Sequence, residues 1–216
     1  MNASPEVVER CETERGELQL QRRGTHFEII SNGTFLMATS NGTSERLLVR
    51  AALDTAPALR KVLIGGLGVG FSLAEALRDE RVEEVSVIEI EPKIVEWNQK
   101  YLSRFNDNAL ADPRTRIIVA DLTQWIRESK NRFDAVCLDI DNGPDWTVTE
   151  ENQWLYKATG LQSLRSLLTP TGVVSIWSAS EVPYFARSLE QHFGRVQLLS
   201  IPAGRGQPDC IYLAQG

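Results

Sequence analysis

Residues 61–77 read Lys-Val-Leu-Ile-Gly-Gly-Leu-Gly-Val-Gly-Phe-Ser-Leu-Ala-Glu-Ala-Leu, and this stretch decides the fold. An apolar run ends in a glycine loop, and a helical pattern of apolar residues begins at Phe71. The stretch therefore predicts a strand, a tight turn and a helix. Its glycines allow positive φ and let a ligand approach the backbone closely; they are Gly65, Gly66, Gly68 and Gly70. On its own, such a loop is as typical of a plain strand–helix turn as of a nucleotide site.

The rest of the chain repeats this alternation of apolar strands and amphipathic helices. Six more strands are predicted, at residues 85–92, 116–121, 133–139, 173–177, 195–201 and 209–214. Helical patterns lie between them, the longest over residues 152–168. Strands that alternate with helices indicate a mostly parallel sheet covered on both faces. We therefore predict an α/β fold with a doubly wound, seven-stranded, Rossmann-like sheet.

The first 45 residues have a different pattern. Residues 1–15 are polar, and we expect them to be loosely ordered. Apolar residues alternate with polar ones over residues 17–39, and Asn32-Gly33 is a strong signal for a two-residue hairpin. These features predict a small antiparallel β unit over residues 1–45, followed by a Rossmann-like domain over residues 46–216.

Composition argues against several classes of protein. The 216 residues carry a net charge of −6 and a sequence pI of about 5.1, which gives no reason to expect a nucleic-acid partner. No apolar run reaches the length of a membrane span, and the amino terminus lacks the pattern of a signal peptide. The three cysteines are far apart and form no metal-ligand pattern with the two histidines. We expect a cytoplasmic protein with no metal and no membrane partner.

Three successive strands end in a carboxylate: Glu89, Asp121 and Asp139. Because the carboxyl ends of parallel strands meet at one edge of the sheet, these side chains should converge beside the glycine loop. A carboxylate in the position of Glu89 can accept the ribose hydroxyl protons of an adenosine ligand. Several carboxylates at one site disfavour a pyrophosphate and suit a cationic sulfonium. The set predicts S-adenosylmethionine or a close derivative as cofactor.

The run from Lys61 to Trp177 resembles the class I S-adenosylmethionine-dependent transferases, and above all the spermidine synthase (polyamine aminopropyltransferase) family. The segments that carry the resemblance are the glycine loop and residues 87–92, 120–122, 138–144, 155–156 and 168–172. The resemblance implies that the glycine loop, Glu89 and Ile90, Asp121 and Leu122, and Asp139 bind the cofactor. It also implies that Asp139 orients or deprotonates an attacking amine.

Other residues of this region are candidates for the acceptor side. Asp141 follows Asp139 closely and is a second catalytic candidate. Asp141, Asp145 and Tyr156 are candidates for binding the acceptor. We interpret Glu45 as an acid in the first turn of a helix, with a position at the site as the alternative. The partner is then a small-molecule amine, and a homodimer formed through the β unit, as in family relatives, stays open.

The sequence departs from the family inside the glycine loop. Aminopropyltransferases carry an aspartate there, and a gapless match places Gly68 at that position. Loss of that charge favours intact S-adenosylmethionine, whose carboxylate could sit on backbone N–H groups. We therefore expect methyl transfer, with aminopropyl transfer from decarboxylated S-adenosylmethionine as the alternative. A non-catalytic ligand-binding or scaffold protein is a further alternative. A dinucleotide oxidoreductase is disfavoured because Phe71 stands where the motif needs its last glycine.

Overall fold

The computed structural model describes residues 4–202 and 208–216. In that part of the chain the strands form two sheets. The first contains β1 (Glu6–Thr13), β2 (Gly16–Arg23), β3 (His26–Ser31) and β4 (Thr34–Ala38), paired antiparallel in chain order. The second contains β5 (Lys61–Gly65), β6 (Glu84–Glu89), β7 (Thr115–Val119), β8 (Phe133–Leu138), β9 (Leu168–Ser178), β10 (Arg195–Ile201) and β11 (Asp209–Gln215).

The order of the second sheet is β10-β11-β9-β8-β5-β6-β7. All its neighbours pair parallel except β11, which runs antiparallel to both β9 and β10. From β5 the chain builds outward through β6 and β7 and then returns to place β8 on the other side of β5. The strand order therefore reverses between β5 and β8, which opens a crevice at their carboxyl ends. The predicted doubly wound seven-stranded sheet is confirmed.

Helices cover the second sheet: α1 (Thr43–Thr55), α2 (Phe71–Leu77), α3 (Pro92–Trp97), α4 (Leu122–Glu128), α5 (Ala158–Ser166) and α6 (Pro183–His192). The continuous helix expected over residues 152–168 is wrong. A 3₁₀ segment (Glu150–Tyr156) comes first, and Lys157, with φ −91° and ψ 164°, breaks it from α5. The two pieces pack tightly, because Gly160 lies against the carbonyl of Trp154, where a side chain has no room. Apolar periodicity cannot detect this break.

Strand β1 corrects the expectation of a loosely ordered start. Residues 6–13 pair along their length with β2, with Cys11 opposite Leu18. Val8 and Cys11 pack against the core, while alternate charged side chains point outward and form ion pairs such as Glu6 with Arg22 at 2.6 Å. The ladder to β2 stabilises a strand whose composition is too polar to indicate one.

The two sheets share one apolar core. Leu20 and Ile29 of the small sheet belong to the same buried cluster as Leu48 of α1 and Val62 of β5. The division at residue 45 therefore stays a prediction. Of the helices described, none is long and apolar enough to cross a membrane.

Candidate active site

The glycine loop joins β5 to α2 where the strand order reverses. Gly65 ends β5, and Gly70 precedes the first residue of α2. Gly66 has a φ of +88°, and a Cβ on it would lie 2.5 Å from the carbonyl oxygen of Asp139. Only glycine fits there, because the loop passes directly against the end of β8. This contact places the predicted cofactor loop beside Asp139.

Two fully buried asparagines hold the loop from the core side. Asn98 donates to the carbonyl of Gly68 at 2.7 Å, and Asn106 donates to the carbonyl of Val69 at 3.0 Å. A trans peptide points its N–H away from its C=O, so the N–H of Val69 faces the opposite side. There it donates to the sulfur of Met37, from β4, at 3.0 Å.

Glu89 ends β6 and is buried. Its two carboxylate oxygens accept the backbone N–H groups of Leu67 and Glu91, both at 2.8 Å. Burial raises the pKa of Glu89, and these donors offset part of that effect. Each oxygen keeps a further lone pair, so the carboxylate is fixed against the loop and can still accept hydroxyl donors from a ligand.

Asp121 caps α4 at the end of β7. Its carboxylate accepts the N–H and hydroxyl of Thr123, both at 2.7 Å, and the N–H of Gln124 at 3.1 Å. Burial raises the pKa of Asp121, but these hydrogen bonds outweigh it and hold the pKa below its usual value. Leu122 is buried behind it, where its side chain fills the space beside Gly65.

A cavity of about 640 Å³ opens beside the ends of β6 and β7. Ile90 and Asp121 line it from the sheet, and residues 11–15 of the first hairpin line it from the opposite side. The hairpin is fastened there by Glu91, which accepts hydrogen bonds from Thr13 at 3.3 Å and Arg15 at 3.2 Å. The structure thus brings Ile90 and Asp121 to one cavity, roofed by a segment that we expected to be loosely ordered.

Asp139 lies in a recess at the end of β8, on the other side of the glycine loop. Among the residues described, no donor forms a hydrogen bond with its carboxylate. Burial, and after it the negative charges of Glu45 and Asp209, raise the pKa of Asp139 to about 7. Glu45 lies in the first turn of α1, Asp209 begins β11 and Asp139 follows β8, so three separate elements bring these carboxylates together.

The same burial affects the two other acids of this recess. Burial raises the pKa of both Glu45 and Asp209, and Ser44 donates a hydrogen bond to Glu45 at 2.9 Å. None of the three carboxylates forms an ion pair with a cation in the described part of the chain. That part also contains no group of His, Cys, Asp or Glu arranged to hold a metal ion. We call Glu45, Asp139 and Asp209 the acidic recess.

Asp141 is buried, and its carboxylate accepts hydrogen bonds from the segment that follows it. Its carboxylate accepts the Val148 N–H at 2.6 Å, the Asn152 amide at 2.9 Å and the Tyr156 hydroxyl at 2.7 Å. Burial raises the pKa of Asp141, and the three donors offset part of that effect. This geometry supports a role in positioning the loop that follows Asp139. Tyr156 is likewise engaged in that loop, with its ring edge-on to Phe185.

Asp145 stands apart from these residues. It is exposed and accepts a hydrogen bond from the hydroxyl of Tyr184, beside the exposed ring of Trp146. The structure therefore joins Asp141 to Tyr156 but leaves Asp145 on the outer surface of the loop. Its predicted role in acceptor binding stays a prediction.

Sequence reasoning missed Asn98, Asn106, Met37 and Asp209. Asn98 begins a π-helical turn and Asn106 lies in the turn after a 3₁₀ segment, and neither position carries a sequence signal for a hydrogen bond to the glycine loop. Met37 was assigned only to an apolar run of the meander. Asp209 lies at the start of a strand, at the opposite end of the sequence from Glu45, and no spacing links the two. Only the topology of the sheet brings them together.

Comparison with known proteins gives a consistent family. Residues 43–193 match the spermine/spermidine synthase domain. A polyamine aminopropyltransferase of Streptomyces coelicolor is 34% identical over 127 residues, which cover 58% of this chain and 23% of that protein. One from Saccharolobus solfataricus is 32% identical over 113 residues, 52% of this chain and 36% of that protein. The matched stretch thus spans well under half of these curated relatives.

Solved structures agree on the fold. A crystal structure of a spermidine synthase in complex with the transition state analogue AdoDATO superposes with a TM-score of 0.81 at 20% identity, over 97% of this chain and 73% of that one. Spermidine synthase from Thermotoga maritima superposes with a TM-score of 0.80 at 19% identity, over 97% and 72%. With the domain match over residues 43–193, the conclusion is that the chain belongs to the spermine/spermidine synthase domain family.

Proposed function

We propose that this chain transfers an aminopropyl group from decarboxylated S-adenosylmethionine to a cationic amine. The observation that carries the proposal is the acidic recess beside the glycine loop. Glu45 and Asp209 raise the pKa of Asp139, and none of the three acids forms an ion pair in the described structure, although Arg46 lowers the pKa of Glu45. Uncompensated acids of this kind favour a ligand that brings positive charge.

The other half of the sheet edge suits the adenosine part of the donor. Glu89 is held against the loop with free lone pairs that can accept ribose hydroxyls. Asp121, kept ionised by its cap hydrogen bonds, lies with Ile90 at the 640 Å³ cavity, where it can accept an adenine amino proton. These placements support the predicted cofactor roles of the three residues.

Asp139 suits the chemistry of the acceptor. An amine in water is mostly protonated and must lose a proton before it attacks carbon. A carboxylate with a pKa near 7 is well matched to take that proton at neutral pH. The neutral nitrogen then forms a bond to the carbon beside the sulfonium. That C–S bond breaks and its electron pair goes to sulfur, which leaves a neutral thioether, methylthioadenosine.

Two observations favour aminopropyl transfer over methyl transfer. The relatives described above are named polyamine aminopropyltransferases, which favours the reaction that sequence reasoning ranked second. Methyl transfer is also less favoured, because one loop N–H that could bind the donor carboxylate, that of Val69, is already bonded to Met37.

A product assay tests the proposal. The protein is incubated with 1,4-diaminobutane and either decarboxylated or intact S-adenosylmethionine, and products are identified by mass spectrometry. We expect methylthioadenosine and a triamine from the decarboxylated donor. S-adenosylhomocysteine from the intact donor would establish methyl transfer instead. Binding of both donors without turnover over a panel of amines would support the non-catalytic alternative. Glu83→Gln, at an exposed position paired with Arg60, is the control and should form the same products as the wild type.

A further inference from the structure

Met37 lies on the outward face of the glycine loop. It belongs to β4, the edge strand of the small sheet, and its sulfur accepts the N–H of Val69 at 3.0 Å. A Cβ built on Gly68 would overlap the same sulfur. Gly68 has a φ of +51°, a conformation that favours glycine, and its side without a Cβ faces this side chain. The thioether therefore fills the space above residues 68 and 69.

The other face of the same peptide is closed. Asn98 and Asn106 take the carbonyls of Gly68 and Val69 on the core side. A ligand can approach this peptide only from the side of Met37. On that side the N–H of Val69, one of the loop donors that a carboxylate could use, is covered. We propose that Met37 sets donor selectivity by excluding a carboxylate from the glycine loop. This inference rests on the proposed function, because it concerns the tail of the donor bound at that loop.

The two donors differ at the end of the tail. The intact tail ends in an ammonium and a carboxylate, and a carboxylate gains most from a backbone N–H. To reach that of Val69 it must displace the thioether and break its contact with the loop. The decarboxylated tail ends in an ammonium alone, which is itself a donor and cannot accept a hydrogen bond from an N–H group. Met37 thus penalises the intact donor and leaves the decarboxylated one unaffected.

Calorimetric titration of three ligands tests the inference. Intact S-adenosylmethionine, decarboxylated S-adenosylmethionine and methylthioadenosine, which lacks the tail, are titrated into the wild-type protein and Met37→Ala. We expect Met37→Ala to tighten binding of the intact donor at least tenfold. Binding of the other two ligands should change less than threefold. Leu36→Ala, at the neighbouring exposed position of β4, is the matched control and should change none of the three.

A second variant protects the test against loss of folding. Met37→Val keeps a residue that favours strands but is too short to reach the loop, and the same selective tightening is expected. If either folded variant shifts all three affinities equally, or leaves that of the intact donor unchanged, Met37 only packs the sheet and the inference is wrong. If methylthioadenosine fails to bind the wild-type protein, the proposed function is wrong, and this inference with it.

Discussion

The strand-end carboxylates on the two halves of the sheet edge differ in how many hydrogen-bond donors they meet. On the side of β6 and β7, Glu89 and Asp121 are each held by two or three protein donors. On the side of β8, Asp139 has no donor among the described residues and faces two further acids. Satisfied carboxylates are fixed in place and suit recognition of a neutral nucleoside. Unsatisfied ones are costly in the free protein and suit a ligand that supplies charge.

Removal of the Asp139 carboxylate should have the largest effect. Asp139→Asn keeps the shape but cannot take a proton, so kcat should fall by about 10²–10⁴-fold. Affinity for methylthioadenosine should change less than threefold, because the adenosine half is intact. Steady-state rates and calorimetry measure the two effects. A drop in nucleoside affinity as large as the drop in kcat would show that the halves are not separate.

Asp141 should behave differently from its neighbour. Asp141→Ala leaves the Tyr156 hydroxyl, the Asn152 amide and the Val148 N–H without their acceptor. We expect a loss of about 2–4 kcal/mol in the free energy of unfolding, measured by urea denaturation. Asp145→Ala, at an exposed position of the same loop, should cost less than about 0.5 kcal/mol. Equal costs at the two sites would contradict the positioning role of Asp141.

The acidic recess should also lower the free energy of unfolding of the ligand-free protein. The pKa of Asp139 is about 7 in the native state, above its value in the unfolded chain. The native state therefore binds the extra proton between these values, so its stability falls as pH rises toward and through 7. Asp139→Asn removes this loss and should stabilise the free protein by about 1–3 kcal/mol at pH 8, with little effect near pH 4. Thermal unfolding of the variant and the wild type at the two pH values measures this difference in stability. A variant that is less stable than the wild type at pH 8 would contradict the prediction.

The smallest expected effect is a shift of a pH profile. Asp209→Asn removes one of the negative charges that raise the pKa of Asp139. The acidic limb of the kcat/KM profile, where activity rises as Asp139 loses its proton, should move to lower pH by less than one unit. Asp145→Asn should leave the limb in place, because Asp145 is exposed and bonded to Tyr184. A shift to higher pH would exclude Asp209 from the recess.

The sequence predicted most of the fold because the signals are local. Patterns of only a few residues predict the apolar strand before Gly65 and the strand-end acids Glu89, Asp121 and Asp139. The failures are also physical. Strand β1 depends on pairing with β2, and the break at Lys157 depends on the packing of Gly160, neither of which leaves a periodic pattern.

The site was predicted in part for the same reason. Its carboxylates follow from strand ends, but what surrounds them does not. The surroundings of the site depend on contacts between segments that are remote in sequence. Examples are the approach of Asp209 to Asp139 and the hydrogen bond between Val69 and Met37. From the sequence, methyl transfer is favoured because Gly68 replaces the family's aspartate, and the loop N–H groups could then bind the donor carboxylate. Tertiary contact with β4 occupies one of those groups, the N–H of Val69.

The most direct test is a paired titration of the two halves. Methylthioadenosine and 1,4-diaminobutane are titrated by calorimetry into the wild-type protein, Glu89→Gln and Asp139→Asn. We expect Glu89→Gln to weaken binding of methylthioadenosine by about 10–100-fold, because hydrogen bonds to a charged group are lost. The affinity for the diamine should change less than threefold. Asp139→Asn should do the reverse. If each substitution weakens both ligands alike, or neither ligand binds, the division of the edge into a nucleoside half and an amine half is contradicted.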